Sequence, residues 1–298
     1  MVAALRTLRP PLQSLFLVAV LAGWLVRPSA TGVAASVPAA QPLPTTAGSG
    51  AEPAWAPGPG GPAGSSAPSA PAPPGHPAGS TFLPLAHGYD ASFPQCAAGS
   101  VPDGAAFSII GVNRGKAFTA NPCLGREWRA AAPRRPVYLN SGFSPKNSSK
   151  VTAGCRRLSK RLDAPAELRR AYAIGCSEAV YSRAVMRAAG VRESVMWWID
   201  VERANSWDED VRLNRSALQG EVDQLAAAGP LPGLYSTARD WGAVMGSWSP
   251  DGVVANWVAA RTPQEACGSP GFSGAPVWLV QEAAAWPEPS GYDSDWAC

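Results

Sequence analysis

The sequence predicts an α/β fold, a (β/α)8 barrel of the TIM type, preceded by a signal peptide and a disordered Pro/Ala/Gly-rich linker. Short β-rich runs alternate with helical stretches through residues 81–298, and such alternation implies parallel strands joined by crossovers. Several runs, such as Phe107-Ser108-Ile109-Ile110 and Val195-Met196-Trp197-Trp198-Ile199, are apolar almost throughout, as strands are when both faces are buried. No G-x-G-x-x-G fingerprint follows the first run, which weakens the rival open sheet. About eight strands in roughly 218 residues suit a closed barrel.

The elements follow in chain order. Arg6 and Arg9 precede an apolar run from Leu12 to Val26, and small residues cluster at Ala30, Gly32, Ala34 and Ala35. A charged start, short apolar centre and small-residue exit make residues 1–35 a signal peptide, the run being shorter than the ~20 residues of a membrane span. Residues 36–80 are nearly all Pro, Ala, Gly, Ser and Thr. They cannot bury enough apolar surface to offset ordering entropy, so they are expected as a disordered spacer in which Trp55 is incidental. The folded domain is expected over 81–298. Its strands are predicted at Ala86–Ala91, Phe107–Val112, Pro136–Ser141, Val195–Val201, Gly233–Ser236, Val253–Val258, Pro276–Gln281 and Gly291–Trp296. Helices are predicted at Ala166–Ala189, stopped by Gly190, at Asp208–Ala228, stopped by Gly229-Pro230, and at Thr237–Met245.

Composition narrows the function. The formal charge is +3, but residues 1–80 hold Arg6, Arg9 and Arg27 against Glu52 alone, which leaves 22 basic and 21 acidic residues for the rest. A balanced domain lacks the basic excess of a nucleic-acid binder. Six cysteines, Cys96, Cys123, Cys155, Cys176, Cys267 and Cys298, stand at no C-x-x-C spacing, and the only histidines are His76 and His87. That is poor material for a zinc site and fits disulfides in an oxidising compartment, with the pairing left open. No metal and no cofactor is expected.

The sharpest local feature is Trp198-Ile199-Asp200-Val201-Glu202. Alternation along a strand puts Asp200 and Glu202 on one side, at the C-terminal strand end where barrel sites lie. Two neighbouring carboxylates repel, so the less solvated one should keep its proton near neutrality and supply a general acid beside an ionised partner. Asp90 ends the first predicted strand, and Asp293 and Asp295 alternate along the last one. First and last strands adjoin once a barrel closes, so Asp90, Asp200, Glu202 and Asp293 are expected at one mouth. A D-x-E alone also suits solvated or capping carboxylates; its place after an apolar strand favours a site. Among the tryptophans, Trp197, Trp257 and Trp278 lie inside strands and are expected to pack, whereas Trp207 and Trp286 follow strands and are expected at the cleft. Gly142-Phe143-Ser144 is no nucleophile elbow, and His87 has no triad partner. Arg134-Arg135 and Arg156-Arg157 read as solvated charge.

In order along the chain, these pieces resemble glycoside hydrolase family 25, the lysozyme-type muramidases. The resemblance rests on Gly88-Tyr89-Asp90-Ala91-Ser92 with Gln95, Asp200-Val201-Glu202, Gly233-Leu234-Tyr235-Ser236, Trp257-Val258-Ala259, Trp278-Leu279-Val280-Gln281 and Asp293-Ser294-Asp295. A related group of secreted glycoside-hydrolase-like domains fits nearly as well, through Asn121 to Trp128 and the D-x-E strand. The resemblance implies Glu202 as general acid, Asp200 as its partner, Asp90 and Asp293 completing the acidic mouth, and substrate contacts from Tyr89, Asn140, Tyr235, Gln281, Trp207 and Asp295. The implied substrate is the β-1,4-linked glycan of peptidoglycan. Two departures stand out: Tyr138-Leu139-Asn140 replaces the family's Y-H-F, and Gly111-Val112-Asn113-Arg114-Gly115 replaces its usual second-strand ending.

Two functions are therefore expected in order of preference. One is a secreted or cell-envelope-associated, monomeric glycosidase acting on cell-wall polysaccharide, with no nucleic-acid partner and no membrane unless the leader stays uncleaved. The other is a catalytically silent barrel that binds wall glycan or a surface partner.

Overall fold

The computed structural model describes residues 79–97, 101–192, 194–283 and 291–298. The expected signal peptide and nearly all of the expected linker, Trp55 and Trp286 fall outside these residues. Eight strands close into a barrel in sequence order: β1 (His87–Ala91), β2 (Phe107–Gly111), β3 (Val137–Asn140), β4 (Met196–Asp200), β5 (Leu231–Ser236), β6 (Ala255–Ala260), β7 (Val277–Glu282) and β8 (Asp293–Ala297). Outside them run α1 (Leu124–Ala130), α2 (Ala153–Ser159), α3 (Ala166–Ala188), α4 (Val211–Ala227), α5 (Ala238–Met245) and the single turn α6 (Pro263–Ala266). No described helix is long and apolar enough to cross a membrane.

Strand alternation divides the apolar residues between two layers. Ile110, Val137, Leu139, Trp197, Ile199 and Leu234 point outward and pack with Leu218, Val222 and Leu225 of α4 and with Ala179 and Met186 of α3. Phe107, Ile109, Met196, Trp198, Trp257 and Leu279 point inward and fill the barrel, with Phe82 packed among them. Gly233 makes room for this filling, since a Cβ there would lie 2.4 Å from the ring of Trp198. The predicted helix stops hold: Gly190 and Gly229 both take positive φ, +70° and +106°, where a glycine carries no Cβ penalty.

One expectation needs correction. Seven strands are parallel, but β8 runs antiparallel to both β7 and β1. Residues 283–292 are too few for a helical crossover, which takes about a dozen residues, so the chain reverses and closes the ring from the other direction. Asp293 thus stands at the start of its strand and pairs with Asp90 at the end of β1. A parallel β8 would have sent it to the opposite end. The six cysteines pair as Cys96–Cys123, Cys155–Cys176 and Cys267–Cys298.

Candidate active site

At the C-terminal ends of β1, β3, β4, β5, β6 and β7 the apolar filling gives way to acids. A cleft of about 230 Å³ is lined by Asp90, Tyr138, Asn140, Asp200, Glu202, Tyr235, Trp257, Gln281 and Asp293. The register explains the convergence: Asn140 pairs with Asp200, Asp200 with Tyr235, Tyr235 with Trp257, and Asp90 with Asp293. A larger cavity of about 750 Å³ opens at the other end of the strands, near Phe82, Trp128, Arg135 and Met196, and no carboxylate among the described residues lines it.

The four acids differ in exposure. Asp90 and Asp200 are buried on the cleft floor, at 7% and 4% exposure, whereas Glu202 and Asp293 are half-buried at its rim. Among the described residues, no lysine, arginine or histidine lines the cleft. Burial, followed by the charge of Asp293, pushes Asp90 well above the usual carboxylate range. Burial and then Glu202 do the same to Asp200. Glu202 is also raised, first by partial burial, then by Asp240 and Asp293. The more strongly shielded member of the D-x-E pair is therefore Asp200, but Glu202 is the member that reaches the rim. A proton donor must first be within reach of the atom it protonates, and the pair titrates as a unit, so position favours Glu202.

Fixed polar partners orient the floor. The Asn140 side-chain amide donates to Asp200 Oδ2, and Asn113 holds the Asn140 backbone from both sides, donating to its carbonyl at 2.9 Å and accepting from its N–H at 3.2 Å. Gln281 donates to Asp90 Oδ2 at 2.8 Å and accepts from the Tyr235 hydroxyl at 2.7 Å. Glu202 is braced from behind, where Trp207 Nε1 donates to its carbonyl at 2.8 Å. Among the described residues, no three carboxylates of this mouth bring their oxygens within 4.8 Å of one another. The one tighter described group, Cys96, Cys123 and Glu127, contains a disulfide and offers no thiolates.

The sequence expectations fare unequally. Asp90, Asp200, Glu202, Asp293, Asn140, Tyr235 and Gln281 all line the cleft. Tyr89 does not: it alternates with Asp90, faces outward, and packs against His87 and Tyr292. Trp207 is not among the residues lining the cleft: it props the Glu202 backbone and packs, partly buried, against the outer apolar clusters. Asp295 shares the inward face of β8 with Asp293 but lies one step deeper, at 0% exposure, with no access to a ligand. Trp257 is buried as expected and still shows one edge to the cleft. Tyr138 and Asn113 were missed. Tyr138 was within reach of the alternation rule, two residues before Asn140; nothing local marks Asn113 as a clamp on another strand.

No protein-family profile matches the chain. No curated protein matches it. Among solved structures, similar ones are the catalytic domain of the endolysin ply40 from bacteriophage P40 of Listeria monocytogenes (14% identity, 74% of this chain and 95% of that one, TM-score 0.45), a family GH25 lysozyme from Aspergillus fumigatus (16%, 72% and 94%, TM-score 0.43), and the modular Cpl-1 endolysin complexed with a peptidoglycan analogue (14%, 72% and 55%, TM-score 0.43). The chain thus spans about half the length of the Cpl-1 endolysin. The chemistry proposed next rests on this chain's own side chains.

Proposed function

We propose that this chain is an exported glycosidase that cleaves the glycan strands of peptidoglycan, with Glu202 as general acid and Asp200 as its partner. The observation that carries this reading is a mouth of four carboxyl groups, lined by no cation among the described residues, with Glu202, raised above its ordinary value, at the rim. Such a cleft repels phosphate and carboxylate substrates. It suits a neutral substrate that gains positive charge as its bond breaks, which is the course of glycoside cleavage through an oxocarbenium-like state. Glu202 donates its proton to the leaving oxygen, Asp293 and the charge shared by the floor acids Asp90 and Asp200 face the positive ring, and water then adds to the ring and returns a proton to Glu202. Tyr138, Tyr235 and Trp257 supply aromatic surface, and Asn140 and Gln281 supply fixed amides. At about 230 Å³ the cleft is smaller than the ~300–1,000 Å³ of pockets that enclose whole small molecules, so it favours one ring of a polymer running across the mouth. The sequence resemblance names the polymer, and three disulfides suit the oxidising exterior.

The test is release of reducing ends from purified peptidoglycan by the full chain and by Glu202→Gln. Loss of the acid should lower the rate about 10²–10⁴-fold with the fold intact. Undiminished release by the variant overturns the assignment of Glu202. Binding of glycan by the unaltered chain, with no release, supports the silent-barrel alternative.

A further inference from the structure

The near balance of charge in the folded domain hides a sharp segregation. Residues 146–170 hold three lysines and five arginines against Asp163 and Glu167, while the rest of residues 81–298 carries 14 basic and 19 acidic side chains. This stretch connects β3 to α3, with α2 inside it and the first turn of α3 at its end. A connection that leaves the C-terminal end of a strand stands at the barrel end that carries the cleft. Lys146 follows the cleft residue Asn140 by six positions, which keeps their Cα atoms within about 20 Å. Seven of the eight cations are exposed, and Arg169 is half-buried. Among the described residues, ion pairs join Arg203 to Asp240 and Arg212 to Asp210, and none ties up any of the eight.

Part of this face is concave. A cavity of about 320 Å³ between α2 and α3 is lined by Arg156, Lys160, Arg169 and Arg170, with the hydroxyl groups of Ser148 and Ser159 and no carboxylate among the described residues. Cations gathered this closely repel one another unless an anion lies between them. The walls are fixed before any ligand arrives. Cys155–Cys176 ties α2 to α3, Thr152 Oγ1 caps α2 by accepting from the Cys155 N–H at 3.2 Å, and Arg169 donates to the Ala164 carbonyl at 2.6 Å. We propose that residues 146–170 form a docking surface for a phosphodiester polymer, recognised through its charges and held beside the catalytic mouth. Exposed cations spread from Lys146 to Arg170 match a repeating anion better than a single one. A phosphodiester chain offers a permanent charge in every repeat, with oxygens that fit guanidinium forks. The stretch contains no Phe, Tyr or Trp, so bases find no stacking platform in it. Leu158 is its one exposed large apolar side chain, too little to enter a bilayer.

The surface itself does not rest on the glycosidase reading; its use in cleavage does, where it selects glycan that bears such a polymer. The test is an anisotropy titration of the intact chain against a fluorescent, base-free glycerol-phosphate oligomer. The variant Arg156→Gln/Lys160→Gln/Arg170→Gln should bind about tenfold more weakly, the scale of three exposed ion pairs. Arg129→Gln/Arg134→Gln/Arg192→Gln removes the same charge around the cavity at the opposite end of the barrel, and should bind within about threefold of the unaltered chain, since salt screens charges that far away. Equal loss in both variants, or no binding by the unaltered chain, overturns the proposal. Half-saturation by inorganic phosphate at the oligomer's own concentration also overturns it, because a single anion then suffices. Tighter binding of single-stranded DNA or of phosphatidylglycerol vesicles overturns it in favour of those partners. In glycan cleavage, the first variant should raise KM about tenfold with kcat unchanged on wall that retains a phosphodiester polymer, and match the unaltered chain on wall stripped of it. Oligomer binding by a chain that releases no reducing ends leaves this surface standing and removes the glycosidase instead.

Discussion

Asp240 sits outside the cleft, on α5, in an ion pair with Arg203 at 2.9 Å, yet after burial it is the largest influence on Glu202. Its negative charge disfavours ionisation of Glu202 and so extends the pH range in which the acid keeps its proton. The sign follows: cleavage should fall as pH rises through the raised value of Glu202. Asp240→Asn removes that charge and leaves Arg203 unpaired, and both changes favour the carboxylate. The alkaline limb of the pH–rate profile should therefore move to lower pH, and an unmoved limb would contradict Glu202 as the acid. Glu202 itself could be read from the sequence, because an acid two residues after another at the end of an apolar strand is a local pattern. Asp240 could not, because its effect depends on how α5 packs beside β4.

At the scale of elements, β8 matters most, since it carries both Asp293 and Asp295 and is held at its end by Cys267–Cys298. That disulfide joins the residue after α6 to the last residue of the chain, across a sequence separation of 31. Replacing both cysteines by serine should cost about 2–4 kcal/mol in a urea unfolding experiment. Glycan cleavage should be lost at lower urea than in the unaltered chain, because fraying β8 withdraws Asp293. Elsewhere the elements were largely legible. The apolar runs gave the eight strands, and glycine and proline marked the ends of α3 and α4. What local pattern could not give was the direction of β8, which is set by how the ring closes. Nor could it foresee the close approach of α3 and α4, where a Cβ on Gly175 would lie 1.8 Å from the carbonyl of Ala217.

The whole molecule carries an unusual load of buried acid. Besides the cleft, Glu178 on α3 and Glu221 on α4 are fully buried behind it. Glu178 is raised to about 7, mainly by burial, while it accepts hydrogen bonds from the Phe118 N–H and the Ser182 hydroxyl. Glu221 is also raised well above its ordinary value, by burial and by Glu178, and accepts from Ser141 beside Asn140. A carboxyl raised on folding binds more protons in the folded state than in the unfolded one. Stability therefore falls as pH climbs from the unfolded value of 4.5 through about 7. For Glu178 alone the loss is about 3 kcal/mol. Thermal unfolding should thus give a higher Tm near pH 5 than near pH 8, and Glu178→Gln should flatten that difference; a Tm rising over the same window would contradict it. By itself the sequence determined the strands, the three longest helices and the acids at strand ends, because these follow from side-chain periodicity and local composition. Only the tertiary structure decided which acids share a cleft, which lie beneath it, and which proton each one keeps. Burial and the charges of residues distant in sequence govern those, and neither is a property of any short stretch of chain.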